Sequence, residues 1–261
     1  MRVFGEMGVD VDGSPISIGG PRQRRLLALL AHRAGSIVGI DWLEENLWND
    51  EERPDGTMTA LRTSVSRLRT ALPEGARSWI ETAQGGYRFT APSDSLEHRR
   101  FSLLRAEARR ARDLDDPLAA LGFLDGALAL WRGQPFSELE HLDWVRAETE
   151  QLELDRLEML EERWEASLAL GRHTQINGEL AVFTKEHNLR DRSARQYALA
   201  LHRSGRTVEA LRVIADHRRA LIDVGGLEPS PAIVALEASL LSGETPPSRS
   251  TRSVALFADI N

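Results

Sequence analysis

From Leu96 onward the chain carries no strand pattern until its last residues, and that asymmetry limits its possible folds more than any other feature. Apolar residues recur at helical spacing through 99–114, 117–131, 143–170, 173–187, 191–204, 207–224 and 231–241. Gly171-Arg172 and Gly205-Arg206 stand 34 residues apart, the period of tetratricopeptide helix pairs. Around the second pair, Ala198, Leu201, Ala210 and Ile214 supply the small and large packing positions of such a pair. Around the first, Ile176 stands where a small residue is usual, so that repeat is degenerate.

Residues 1–92 read differently. Residues 2–18 give short strands, with Ile16 and Ile18 at period two after a tight turn at Asp12-Gly13. A helix is expected from Pro21 to about Ala34, stopped by Gly35. Asp41 then serves as N-cap for a short helix through Leu43, Leu47 and Trp48. An acidic connector (49–56) leads to a third helix over 57–72, closed by Pro73. Trp79-Ile80, Gly85-Gly86 and 87–89 form a hairpin, and 92–95 reads as a linker. The expected fold is therefore mainly α. A winged helix-turn-helix of α and β structure (1–92) precedes an all-α, TPR-like helical-repeat domain (96–243), with 244–261 as linker and tail.

Hydrophobic residues make up 41% and charged residues 28%, the balance of a soluble globular protein. No apolar run approaches the roughly 18 residues of a membrane span, and the N-terminus lacks the shape of a signal peptide, so a cytoplasmic protein is expected. Cysteine is absent, which removes disulfides and thiolate metal sites. The net charge of −7 argues against a nucleic-acid partner unless basic groups are gathered in one place.

Segment 57–72 gathers them. At 100° per residue Leu61, Val65, Leu68 and Leu72 share one narrow stripe, which should pack inward. Thr59, Thr63, Ser66 and Thr70 lie opposite, flanked by Arg62, Arg67 and Arg69, and the segment contains no carboxylate. A helix of this diameter fits the major groove, where arginine takes guanine O6 and N7 together and hydroxyls reach phosphates or base edges. A solvated face that merely avoids acids has the same composition, so the neighbouring segments matter. Gly85-Gly86 permits a tight hairpin tip, and Arg88 is placed to meet a phosphate as a wing does. Arg22, Gln23, Arg24 and Arg25 open the first helix, where backbone amides and basic groups together suit a phosphate. The three features arrive in the order that a winged helix requires.

Enzyme readings find less support. Seven histidines are scattered without a metal-ligand spacing, and no phosphate-binding glycine loop occurs, so neither a cofactor nor a catalytic residue is expected. Segment 148–165 interleaves Arg156 and Arg163 with its carboxylates and reads as a salt-laced helix face. Segment 131–136 reads as a helix end, a turn and an aromatic plug that packs into the core.

With these motifs in place the chain resembles the antibiotic regulatory proteins of actinomycetes, which join an OmpR-type winged helix to a bacterial transcriptional activation domain. The matching stretches in the first half are 21–27 (PRQRRLL), 61–69 (LRTSVSRLR) and Gly85-Gly86-Tyr87. In the second half they are 129–133 (ALWRG), 169–173 (ALGRH), 202–206 (HRSGR) and 227–231 (LEPSP). The resemblance implies a transcriptional activator that binds repeats in double-stranded DNA as a homodimer and recruits RNA polymerase. It places Arg62, Thr63, Ser66, Arg67 and Arg69 in the major groove and Arg88 on the wing. Thr57-Met58-Thr59 departs from the alanine and asparagine opening of many relatives, which implies a different base preference. No receiver domain precedes the winged helix in this sequence. A second reading is a helical-repeat scaffold or ligand sensor whose N-terminal domain is only structural. In the tail, 245–253 reads as a linker and 254–260 as a buried strand with no partner in an all-helical domain. That run is similar to the opening of a class III nucleotide cyclase domain, where Asp259 would match a metal-binding aspartate, but a chance match is the better reading, and alone the run could not catalyse.

Overall fold

The computed structural model describes residues 1–11, 14–48, 53–92 and 95–243. The turn at Asp12-Gly13, residues 49–52 of the acidic connector, Ser93-Asp94 of the linker, and the tail with Asp259 lie outside the described residues. Backbone contacts divide the chain into two compact units: Met1–Asp113 with Gly122–Met159, and Leu114–Leu121 with the residues from Leu160 onward.

The first unit opens with an antiparallel pair, β1 (Val9–Val11) and β2 (Ser14–Ile16), in which Val9 faces Ile16. Helix α1 (Pro21–His32) starts on a proline, whose fixed φ suits a first helical position, and buries every residue from Leu26 to Ala31. Strand β3 (Ile37–Gly39) runs directly into α2 (Ile40–Leu47). Helix α3 (Thr57–Ala71) follows, then a 3-10 turn (Glu74–Trp79) and the hairpin of β4 (Ile80–Ala83) and β5 (Gly86–Phe89). The sheet order is β3-β5-β4, both pairs antiparallel.

Two local expectations are corrected here. Strand β3 is absent from the sequence reading because a three-residue strand is too short to display a period. Asp41 is not an N-cap: Gly39, still paired with Gly86 in the sheet, occupies that position and makes no side-chain cap.

Helix α4 (Glu97–Asp113), residues 122–128 of α5 (Pro117–Leu128) and residues 143–159 of α6 (Asp143–Ala169) complete this unit. They share one core with the strands and helices before them. Phe4 stacks on Trp131 with ring centroids 4.6 Å apart and meets Phe101 at 5.2 Å. Residues 3–5 pair with the turn after α5: Phe136 N–H donates to Val3 O at 2.9 Å and Gly5 N–H to Gln134 O at 3.1 Å. Phe136 is buried, as the plug reading expects. Glu97, itself buried, receives the N–H groups of Val3 (2.9 Å) and Phe4 (3.3 Å) on Oε2 and the Arg132 guanidinium on Oε1. Trp144 of α6 donates to Asn46 Oδ1 of α2 at 2.9 Å, and His32 Nδ1 meets Glu148 at 2.8 Å. Helices α1 and α2 are thus tied to residues 97–148 by named polar contacts as well as by the shared core.

The second unit holds the other parts of α5 and α6 with α7 (His173–Glu186), α8 (Asp191–Arg203), α9 (Thr207–Gly225) and α10 (Pro231–Ser242). The two Gly-Arg pairs close α6 and α8 in the same way: Arg172 N–H donates to Ser167 O and Arg206 N–H to Leu201 O, each at 2.9 Å. This six-residue closure is the Schellman end of a helix, so the 34-residue spacing marks a structural repeat. Ala198, Leu201, Ala210 and Ile214 are all buried, as is Ile176. Trp164 lies 34 residues before Ala198 and is buried too, which shows a second place where the repeats differ in volume.

Candidate nucleic-acid interface

Helix α3 buries Leu61, Ser64, Val65 and Leu68, with Leu72 buried at its C-cap. Fifteen residues span about 22 Å at 1.5 Å per residue. The opposite side is open to solvent: Thr59, Arg62, Thr63, Ser66, Arg67 and Thr70 are all exposed. At 100° per residue the four hydroxyl residues form a stripe, with Arg62 about 60° to one side of Thr59 and Arg67 about 80° to the other. Arg62 and Arg67 form no ion pair among the described residues. Thr63 and Thr70 donate their hydroxyl protons to the carbonyls of Thr59 (2.9 Å) and Ser66 (3.0 Å). Those oxygens keep lone pairs for an outside donor, while the back-bonds hold the side chains against the helix.

Arg69 leaves this group. Its guanidinium turns to the hairpin, where Nε and Nη2 donate to Ile80 O at 2.9 and 2.7 Å, and Nη2 also reaches Thr82 Oγ1 at 2.9 Å. Its Cζ lies 5.9 Å from the centre of the Tyr87 ring. The expectation that Arg69 shares the outer face is replaced by a contact between α3 and both strands of the hairpin.

The hairpin turns through Gln84-Gly85, because Ala83 pairs with Gly86. Gly85 takes a φ of +79°, which other residues rarely adopt, and it is exposed beside Gln84. Gly86 is required for a different reason: a Cβ there would sit 2.0 Å from Val38 O in β3. Arg88 is partly exposed on β5, but Glu81 stands across from it on β4, with Nη1 and Oε2 4.0 Å apart. Sequence reasoning missed this acid. Counting outward from a two-residue turn at 84–85 pairs 81 with 88 and would have found it.

At the start of α1 the expected residues separate. Arg22 is exposed. Arg24 is partly buried, with Nε 3.4 Å from Glu138 and Nη1 donating to Gly19 O at 3.4 Å. Glu138 also accepts the Met7 N–H at 2.9 Å, so Arg24 is engaged by an acid that itself anchors the segment leading into β1. Arg25 Nη1 donates to Leu47 O at the end of α2. Of the basic run, Arg22 alone presents an exposed side chain.

Comparison with known proteins finds matches to both halves of the chain. Residues 96–241 match the family described as bacterial transcriptional activator domain, and residues 14–89 the one described as transcriptional regulatory protein, C terminal. The chain is 36% identical over 245 residues to the regulatory protein AfsR of Streptomyces coelicolor, covering 93% of this chain but 24% of that protein. It is 28% identical over 252 residues to the regulatory protein DnrI of Streptomyces peucetius, covering 94% of this chain and 92% of that one. A solved structure of Mycobacterium tuberculosis EmbR, in complex with a low-affinity phosphopeptide, superposes with a TM-score of 0.84 at 28% identity. That match covers 95% of this chain and 66% of the EmbR chain. The matched families are transcriptional regulators, and among the described residues no helix is long and apolar enough to cross a membrane.

Proposed function

Since the chain belongs to the bacterial transcriptional activator domain family, within the antibiotic regulatory proteins of actinomycetes, we propose that it reads promoter DNA and activates transcription. Reading is assigned to residues 1–92 and activation, through recruitment of RNA polymerase, to residues 96–243. The observation that carries this reading is the outward face of α3. It presents two guanidinium groups on either side of four hydroxyls, without an acid on the helix, in a chain whose acids outnumber its bases. With α3 in the major groove, Arg62 and Arg67 would take guanine edges or phosphates, while Thr59, Thr63, Ser66 and Thr70 complete the contact. The tip at Gln84-Gly85 and Arg88 would follow the adjacent phosphates, with Arg22 as a further phosphate contact. A side-by-side homodimer would place two such helices on half-sites about 34–36 Å apart, one helical turn.

The test uses the whole chain, because the winged helix shares its core with α4 and α6. Wild-type protein selects duplexes from a random pool, and affinity is then measured by gel shift at several salt concentrations. Arg62→Ala and Arg67→Ala should each weaken binding by about 1–3 kcal/mol, roughly 5- to 150-fold, with helical content unchanged. Affinity should fall steeply with salt, because each neutralised phosphate releases counterions. Unchanged affinity in the double variant would end the assignment of α3 as the reading helix. A reporter driven by the selected site should rise, not fall, when the protein is supplied.

A further inference from the structure

We propose that Arg69 is a positioning residue that sets the wing's place relative to α3, and so decides which phosphates the hairpin reaches. This rests on the DNA-binding reading above. Strand β4 is an edge strand, paired only with β5. Its first residue, Ile80, would leave its carbonyl facing outward, and the Arg69 fork supplies two N–H donors where a neighbouring strand would offer one. The third bond, to Thr82 Oγ1, and the Tyr87 ring fix the plane of the guanidinium, so helix and hairpin are held at several points. A planar fork can do this; an ammonium on a flexible stem cannot bind the same carbonyl through two nitrogens.

The consequence for binding is geometric. The wing's outer strand, β4, is bonded on one side only, to β5, whereas β5 is also held by β3. If the wing were held loosely, it would lose entropy on meeting the phosphates and gain less from them. Braced by Arg69, the tip at Gln84-Gly85 and the Arg88 side chain stand at a set distance from the α3 face before DNA arrives. The residue therefore contributes to binding without touching DNA, through the wing that it holds.

The experiment separates this role from direct phosphate contact. Arg69→Lys keeps the charge but not the fork, and Thr82→Val removes one acceptor without changing any charge. Both are compared with wild type on the duplex that the wild-type chain selects from a random pool. Arg69→Lys should weaken binding about tenfold, and hydroxyl-radical protection should be lost beside the wing while guanine N7 protection under α3 persists. Arg88→Ala should cost several-fold in the wild-type background and less than about twofold in Arg69→Lys, because the wing contact is already lost there. Thr82→Val should move both readouts in the same direction by a smaller factor. Near-wild-type binding by Arg69→Lys with an intact wing footprint, or additive losses with Arg88→Ala, would overturn the proposal and make Arg69 a plain phosphate contact. Should Arg69→Lys fail to fold, Thr82→Val decides by the same readouts. A wild-type chain that selects no duplex would instead sink the DNA-binding reading itself.

Discussion

Removing the Glu97 carboxylate should destabilise the first unit by about 4 kcal/mol. In Glu97→Ala the N–H groups of Val3 and Phe4 lose their acceptor, and both residues have no measurable exposure. A buried donor left unpaired costs about 1–3 kcal/mol. The Val3 bond, at 2.9 Å, belongs at the upper end of that range and the longer Phe4 bond, at 3.3 Å, at the lower. Arg132, whose side chain is 42% exposed, regains water when its partner goes and adds little. Glu97→Gln keeps an oxygen acceptor and should cost about 1 kcal/mol. Five of the six tryptophans lie in this unit, so tryptophan fluorescence during urea unfolding reports on it directly. The midpoint should fall in the order wild type, Gln, Ala with an unchanged slope. An Ala variant within about 0.5 kcal/mol of wild type would show that residues 3–4 are not held by this carboxylate, because polar losses of the expected kind exceed that size.

Two further outcomes follow from single groups. Glu81 faces Arg88 across the hairpin, so Glu81→Gln should tighten binding to the selected duplex a few-fold, about 0.5–1 kcal/mol, in low-salt gel shifts; an unchanged or weaker affinity would place the wing away from phosphate. His98 has its pKa lowered to about 4, chiefly by burial and further by Arg99, His32 and the N-terminus, while Glu148 opposes the shift. The unfolded chain takes this proton near pH 6.5 and the folded chain only near pH 4, so stability is complete above the first value and declines as pH falls toward the second. The loss should be on the order of 2–3 kcal/mol in urea unfolding between pH 7 and pH 4, and His98→Gln should flatten that dependence; a variant with the wild-type profile would assign the loss to other groups.

Several helices were legible in the sequence because they bury a stripe that recurs at 3.6 residues. For α3 the stripe of Leu61, Val65, Leu68 and Leu72 identified both the helix and its solvent side. What the stripe could not show is the direction of long side chains at its borders. Arg69 lies about 80° from Thr59 on the helical wheel, neither outward nor inward, and its direction depends on what packs beside it. The hairpin carbonyl at Ile80 decides that, and no local pattern announces it. Arg24 is a sharper case: its partner Glu138 lies 114 residues away, beyond the reach of any spacing rule. Strand β3 was invisible for the opposite reason, since three residues with one buried side chain carry no period to detect.

The net charge of −7 posed the main objection to a DNA partner, and the distribution of pairs answers it. Exposed charges are largely screened beyond about 8 Å at physiological salt, so a distant acid weighs little on α3. Many carboxylates are also matched where they stand. Asp155 and Glu158 hold Arg105, with Arg109 beside Glu158; Glu161 takes Arg190 through two bonds; Glu237 takes Arg218. Each such pair is nearly neutral to an approaching polyanion. What it meets is the local field, and along α3 that field comes from Arg62 and Arg67, with no carboxylate on the helix to offset them. Glu81, the acid that faces the wing cation, is therefore a place where charge and function conflict, and where a single substitution should move affinity upward.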